Sequence, residues 1–226
     1  ITVSGTSSIT GVLNDGSSTG TNIFIAKVTI NSGGQWLTTS ETTVTDMIFR
    51  NGITNNGTFT AGAAQFDSNS QTIDGSGATS FANDVRIEGD IIFTNDISHA
   101  NGLIISGNLN GNGGTGLSAF RNNDNRTFDY RGTNSPMTTY TFDVDQPGNT
   151  VVYFRNNAQT LKNTNYYNLT VGNGNAKTFE TYASFTVGNN LNIEASTTLI
   201  VQNADGSGVL TIAGDFINAG TFDMRR

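Results

Sequence analysis

Apolar residues in this chain come in short alternating runs, and no run carries a sustained helical period. Ile23-Phe24-Ile25-Ala26-Lys27-Val28-Thr29-Ile30, Val85-Arg86-Ile87, Asn168-Leu169-Thr170-Val171 and Leu210-Thr211-Ile212 repeat every second residue over about five positions, the period of a half-buried strand. Between them lie turn signals: Asn14-Asp15-Gly16, Asn55-Asn56-Gly57, Asp74-Gly75 and Asp205-Gly206. A chain built this way must bury many short strands and turn a corner after each one. The composition agrees. Asn and Gly make about a quarter of the residues, charged residues only 13%, yet there are 14 Phe and 6 Tyr. Disordered chains lack that aromatic and β-branched content.

Short strands without intervening helices leave a sandwich, a barrel or a solenoid. Internal repeats select among them. Phe66-Asp-Ser-Asn-Ser-Gln71-Thr72-Ile73 matches Phe154-Arg-Asn-Asn-Ala-Gln159-Thr160-Leu161 at identical spacing, and Asn55-Asn-Gly57-Thr58-Phe59 matches Asn218-Ala-Gly220-Thr221-Phe222. The expected fold is therefore all-β, a right-handed parallel β-helix with coils of roughly 20 residues, the alternative being a β-sandwich array. Such a chain would form about ten or eleven coils, a rod roughly 50 Å long. Asn tolerates tight corners and stacks in hydrogen-bonded ladders, which gives its abundance a structural cause. The whole of 1–226 is expected to be one domain, with an irregular loop near 121–150, where both prolines, Pro136 and Pro147, lie.

Several function classes are disfavoured. Cysteine is absent, which removes disulfides and thiol chemistry. A net charge of -7 opposes binding to nucleic acid, which needs a concentrated positive field. No apolar run is long enough to span a membrane as a helix.

The elements Gln159-Thr160-Leu161, Tyr166-Tyr167-Asn168-Leu169-Thr170-Val171, Lys177-Thr178-Phe179 and Thr186-Val187-Gly188-Asn189-Asn190-Leu191-Asn192-Ile193 together resemble a recurrent pattern in large secreted and cell-surface proteins of Bacteroidetes-type bacteria. The last element fits loosely, because Gly188 follows Val187 directly and two Asn precede Leu191. The likeness is clearest over 150–223 and fainter over 49–110. It implies export to the bacterial cell surface, a repetitive β architecture, and a role in adhesion, gliding or extracellular matrix. It carries no catalytic residues.

Catalysis by a β-helix enzyme, such as one degrading polysaccharide, would need two convergent carboxylates. Asp143 and Asp145 share a strand face, with Asp124 and Asp129 near in sequence, and solubilising a polar stretch is the expected role of these acids. The single histidine, His99, reads as a turn residue. No cofactor is expected. Calcium is the ion that the oxygen-rich turns around Asp124 and Asp205 would suit, although neither matches a known calcium loop. Trp36, Tyr166 and Tyr167 are the candidates for an exposed, sugar-stacking platform, whereas Phe66 and Phe154 are expected to stack in the core.

The ends complete the picture. A solenoid exposes unpaired backbone and apolar core at its first and last coils unless they are capped. No amphipathic helix stands at either end, so Ile1, Val3, Phe216 and Phe222 are expected to lie at assembly ends. These ends would stack on a second copy, making a filament, or on further coils of a longer chain. The expected function is a non-catalytic structural surface protein, with a glycan-binding adhesin and a polysaccharide-degrading enzyme as alternatives.

Overall fold

The computed structural model describes residues 1–14, 20–68, 71–112, 117–179, 184–202 and 208–225. It is all-β, a parallel β-solenoid of about nine turns. The strands pair in parallel within every sheet, which removes the sandwich alternative. A typical coil runs through three short strands, and these stack on their equivalents in the neighbouring coils.

One wall runs the length of the rod. Its ten strands extend from Val12–Leu13 at one end to Phe216–Asn218 at the other, and we refer to it as the long wall. Nine intervals of about 4.8 Å give a rod of about 43 Å. A flank wall of seven strands, Ser7–Ile9 to Thr141–Asp143, lies beside it. Single bridges from Val144 to Tyr166 and from Tyr166 to Val187 carry the flank wall on to a two-stranded sheet, Phe185–Val187 with Leu210–Ile212.

The third side is built differently in the two halves. Six strands, from Thr2–Val3 to Leu109–Asn112, form an N-terminal wall. Four others, Gln159–Leu161, Asn175–Phe179, Thr197–Gln202 and Thr221–Arg225, form a C-terminal wall. Between these two walls lies a seam, residues 131–140, which contains no strand. The Met137 amide donates to the Leu109 carbonyl on one side, and the Thr160 amide to the Thr133 carbonyl on the other. Within the stretch 121–150, Ala119–Asn122, Thr127–Tyr130, Thr141–Asp143 and Thr150–Tyr153 form or reach into ordinary strands, so the departure from the coil pattern centres on the seam. Met137 is fully buried there at φ 50°, a left-handed conformation that costs a side-chain-bearing residue energy and persists because its surroundings hold it.

Coil length varies from 17 residues, Ile48 to Gln65, to 27, Ile92 to Ala119. The variation is absorbed at corners, because a strand residue must keep its register to keep its face. Inward residues therefore line up. Phe24, Phe49 and Phe66 are register partners on the N-terminal wall, with successive ring centroids 5.4 Å apart in stacked geometry. Aromatic contacts then continue through Phe93, Phe120 and Phe142. Past the seam the long wall is filled mainly by Leu169, Val171, Leu191 and Ile193, all fully buried.

Two corner devices explain the Asn and Gly content. At the corner between the flank and long walls, Asn95 Nδ2 donates to Asn122 Oδ1 at 2.7 Å. Asn149 Nδ2 then donates to the Asn122 carbonyl at 3.0 Å, Asn168 Nδ2 to the Asn149 carbonyl at 2.8 Å, and Asn189 Nδ2 to Asn168 Oδ1 at 2.9 Å. This ladder ties each corner to the one in the next coil, by side-chain amides and by main-chain carbonyls. The second device is the Asn-x-Gly-Thr-Phe element. Asn55 Oδ1 accepts the Gly57 amide at 3.0 Å, and Asn218 Oδ1 accepts the Gly220 amide at 3.1 Å. A Cβ on Gly57 would collide with the Gly34 carbonyl oxygen of the coil before, and one on Gly77 with that of Gly57. The column stays glycine because successive backbones pass too close for a side chain.

Candidate functional site

Both ends of the rod are open. At the first coil, Ile1, Val3, Leu13, Phe24, Trp36 and Met47, with Asn22, line an apolar cavity of about 360 Å³. Ile1 is 83% exposed and Val3 half-buried. At the last coil Phe216 is 45% exposed, Ile217 51% and Met224 54%, and the half-buried Phe222 packs edge-on against Phe216 at 5.3 Å. Among the described residues the outer strands of the long wall, Val12–Leu13 and Phe216–Asn218, each have a hydrogen-bonded neighbour on one side only. Unpaired parallel backbone beside apolar side chains is a template for another coil. The four residues expected at the ends, Ile1, Val3, Phe216 and Phe222, lie on these two faces.

The expected aromatic platform does not form. Trp36 is 1% exposed, an inward residue of the long wall in register with Phe59, and its Nε1 donates to Thr38 Oγ1 at 2.7 Å. That internal acceptor lets the indole be buried without losing its hydrogen bond. Tyr166 is also fully buried. Its hydroxyl lies 3.0 Å from that of Tyr153 and donates to the Lys162 carbonyl at 2.5 Å, so two phenols satisfy each other inside the core. Only Tyr167 reaches the surface, half-buried, and the strand that follows it, Asn168–Val171, stacks six positions along the long wall from that of Trp36. Phe66 is in the core as expected. Phe154 is not: it sits half-buried just past its strand, with the Arg131 guanidinium 5.7 Å from the ring centroid.

The repeat that carries Phe154 marks a corner, not a fixed place in the coil. Gln71 lies on the flank wall and Gln159 on the C-terminal wall, both buried. Gln71 Oε1 accepts the Gly52 amide at 3.1 Å, and Gln159 Nε2 donates to the Tyr130 and Gly132 carbonyls, each at 2.9 Å. In each copy the amide side chain satisfies backbone in the coil before.

Seven of the acids are matched to cations among the described residues. Arg121 pairs with Asp143 at 2.7 Å, Arg131 with Asp129 at 2.6 Å, Arg126 with Asp96 at 2.7 Å and Lys27 with Asp74 at 2.8 Å. Gln146 Nε2 reaches Asp143 and, at 3.4 Å, the exposed Asp145. Asp124 is an exposed turn residue, and Asp205 lies outside the described residues. Among the described residues no three acids or histidines converge to hold a metal. His99 closes its own turn, Nδ1 accepting the Asn101 amide at 3.3 Å.

One cluster escaped the sequence reading. At the corner between the long and C-terminal walls, Arg155 and Lys177 are cations with no carboxylate partner among the described residues. Lys177 is an inward residue, fully buried, whose Nζ donates to the Arg155 carbonyl and, at 3.0 Å, to that of Asn157. Burial, and secondarily the Arg155 charge, pull its pKa down to about 8. Arg155 Nη1 donates to the Arg131 carbonyl at 3.1 Å, while its Nε is buried with no partner. A pocket of about 400 Å³ opens beside them, lined by Ser106, Arg131, Phe154, Arg155, Asn156, Asn157 and Asn173. Twenty-two residues separate Arg155 from Lys177. The register of Gln159 with Lys177 brings them together, and the coil period was the signal that could have found them.

No family model, curated protein or solved structure matches the chain.

Proposed function

We propose that the chain is a non-catalytic structural rod of an extracellular bacterial surface, extended at its ends by the stacking of further solenoid coils. The observation that carries this reading is the pair of open end faces. Each joins unpaired parallel strand edge to incompletely covered core residues, Ile1 and Leu13 at one end, Phe216 and Phe222 at the other. Covering such a face removes apolar area from water at about 25 cal/mol per Å² and pairs backbone groups in the same step. The likeness of 150–223 to Bacteroidetes-type surface proteins supports the location. The non-catalytic reading rests on acids spread over different coils, of which Asp74, Asp96, Asp129 and Asp143 are each engaged by arginine or lysine, whereas a glycosidase needs two convergent carboxylates.

Electron microscopy and sedimentation over a concentration series test the ends. The expected result is particles that lengthen in steps of about 48 Å, ten strand intervals per copy counting the junction, with Leu13→Lys or Phe216→Lys holding them at single length. Single rods at every concentration, unaltered by either substitution, would overturn the reading.

A further inference from the structure

We propose that the corner around Arg155 is a binding subsite for a carboxylate-bearing saccharide, one segment of an acidic polysaccharide lying against the rod. The inference stands apart from the assembly of the ends, since it concerns a lateral surface in the second half of the molecule.

Charge accounting carries the first part. On a chain of net charge -7, seven basic residues sit in ion pairs within 4 Å, so most of the surface offers no free cation to an acidic ligand. Arg155 and Lys177 are different. Neither meets a carboxylate, and they meet each other, Lys177 Nζ bonding the Arg155 carbonyl. Two like charges at one corner repel, and the lowered pKa of Lys177 registers that repulsion together with burial. An anion beside Arg155 would relieve it.

Geometry supplies the second part. The Arg155 guanidinium is fixed by its bond to the Arg131 carbonyl and lines the pocket, and a planar guanidinium is shaped to take a carboxylate by two parallel hydrogen bonds. Its Nε, buried and unpartnered, is an unmet donor of a kind that native structures seldom leave. Around the charge the lining is polar, and its second cation, Arg131, is already paired with Asp129 at 2.6 Å. Ser106 and the exposed Asn156 and Asn157 offer the mixed donors and acceptors that sugar hydroxyls require, and the half-buried Phe154 ring offers a surface for sugar C–H groups. One cation without a carboxylate, beside an arginine that has one and among uncharged amides, matches a polymer with one carboxylate per sugar. It does not match nucleic acid, whose densely spaced phosphates call for a row of cations where this corner offers one.

Calorimetric titration with an oligogalacturonate tests the proposal, with a neutral oligosaccharide of equal length and a polyglutamate peptide run in parallel. Binding of the oligogalacturonate alone is expected, weakened at least tenfold by Arg155→Gln and left unchanged by Arg121→Gln. Asn157→Asp places a negative charge at the same corner on an exposed side chain, and should weaken binding equally even if Arg155→Gln does not fold. At pH 8 binding should take up protons, because the carboxylate raises the proton affinity of Lys177; comparing buffers of different ionisation enthalpy reads this. Absence of oligogalacturonate binding, binding indifferent to both substitutions, or equal binding of polyglutamate would each overturn the proposal.

Discussion

The two halves of the rod share one long wall but are closed by different third walls, and they fill their interiors in different ways. Before the seam, stacked rings occupy the core: Phe24, Phe49 and Phe66 in one column, with Trp36 and Phe59 beside them. At and after the seam the interior becomes partly polar. Tyr130, Tyr153 and Tyr166 bury hydroxyls that bond to one another or to main-chain carbonyls, and Lys177 buries an ammonium group. A parallel solenoid needs only that each coil repeat the register of the last, so one face can be rebuilt while its neighbours continue. Rebuilding leaves main-chain groups without a strand partner, and the buried phenols, Gln159 and Lys177 bond to these groups.

The contrast can be broken most sharply at the rings. Phe49→Ala opens a void between two stacked neighbours and should cost about 3–5 kcal/mol, whereas Leu191→Ala in the aliphatic half should cost about 2–3 kcal/mol. Denaturant unfolding measures both, and equal costs would mean the halves pack alike. Next in size is the glycine column. Gly57→Ala must push apart two central coils and should destabilise by about 1–3 kcal/mol, while Gly220→Ala, in the last coil, should cost less because that coil can move outward.

The smallest effect belongs to Lys177. Its folded pKa is near 8, below the ordinary value of 10.5. Between those values the unfolded chain holds a proton that the folded chain has released, so stability rises as pH goes from about 8 toward 10, by about 1–2 kcal/mol. Burial pushes the Tyr130 phenol the other way, above its ordinary 10, so stability should fall again beyond pH 10. Lys177→Met should abolish the rise and leave the fall, which thermal unfolding across pH 7–11 would show.

How much of this was legible follows the range of each interaction. Alternation within Val85-Arg86-Ile87 or Asn168-Leu169-Thr170-Val171 is local, and those residues are buried and half-exposed in turn, as the strand period requires. The Asn ladder was readable as a composition with a cause. Trp36 was misjudged because its neighbours in sequence, Gly33-Gly34-Gln35, suggest a surface turn. Its real neighbours are Phe59, one coil on, and Phe24 across the interior. Arg155 was hidden for the same reason: its role depends on Lys177, and nothing fixes their meeting until the coil length is known. The Gln-Thr repeat was found correctly yet describes a corner, since a buried amide can satisfy any corner whose backbone lacks a strand partner. The change of third wall was not legible, because Pro136 and Gly132 announce an irregular stretch without saying what resumes after it.

The seam also sets how the rod bears load. A pull along the axis is resisted in most places by three ladders of main-chain hydrogen bonds acting side by side. Across residues 131–140 the third ladder is replaced by a few separate bonds, those of Met137 to Leu109 and Thr160 to Thr133 among them. Tension would therefore part the molecule here first, leaving an aromatic-filled block and an aliphatic-filled block each internally intact: a yield point near the middle of the rod.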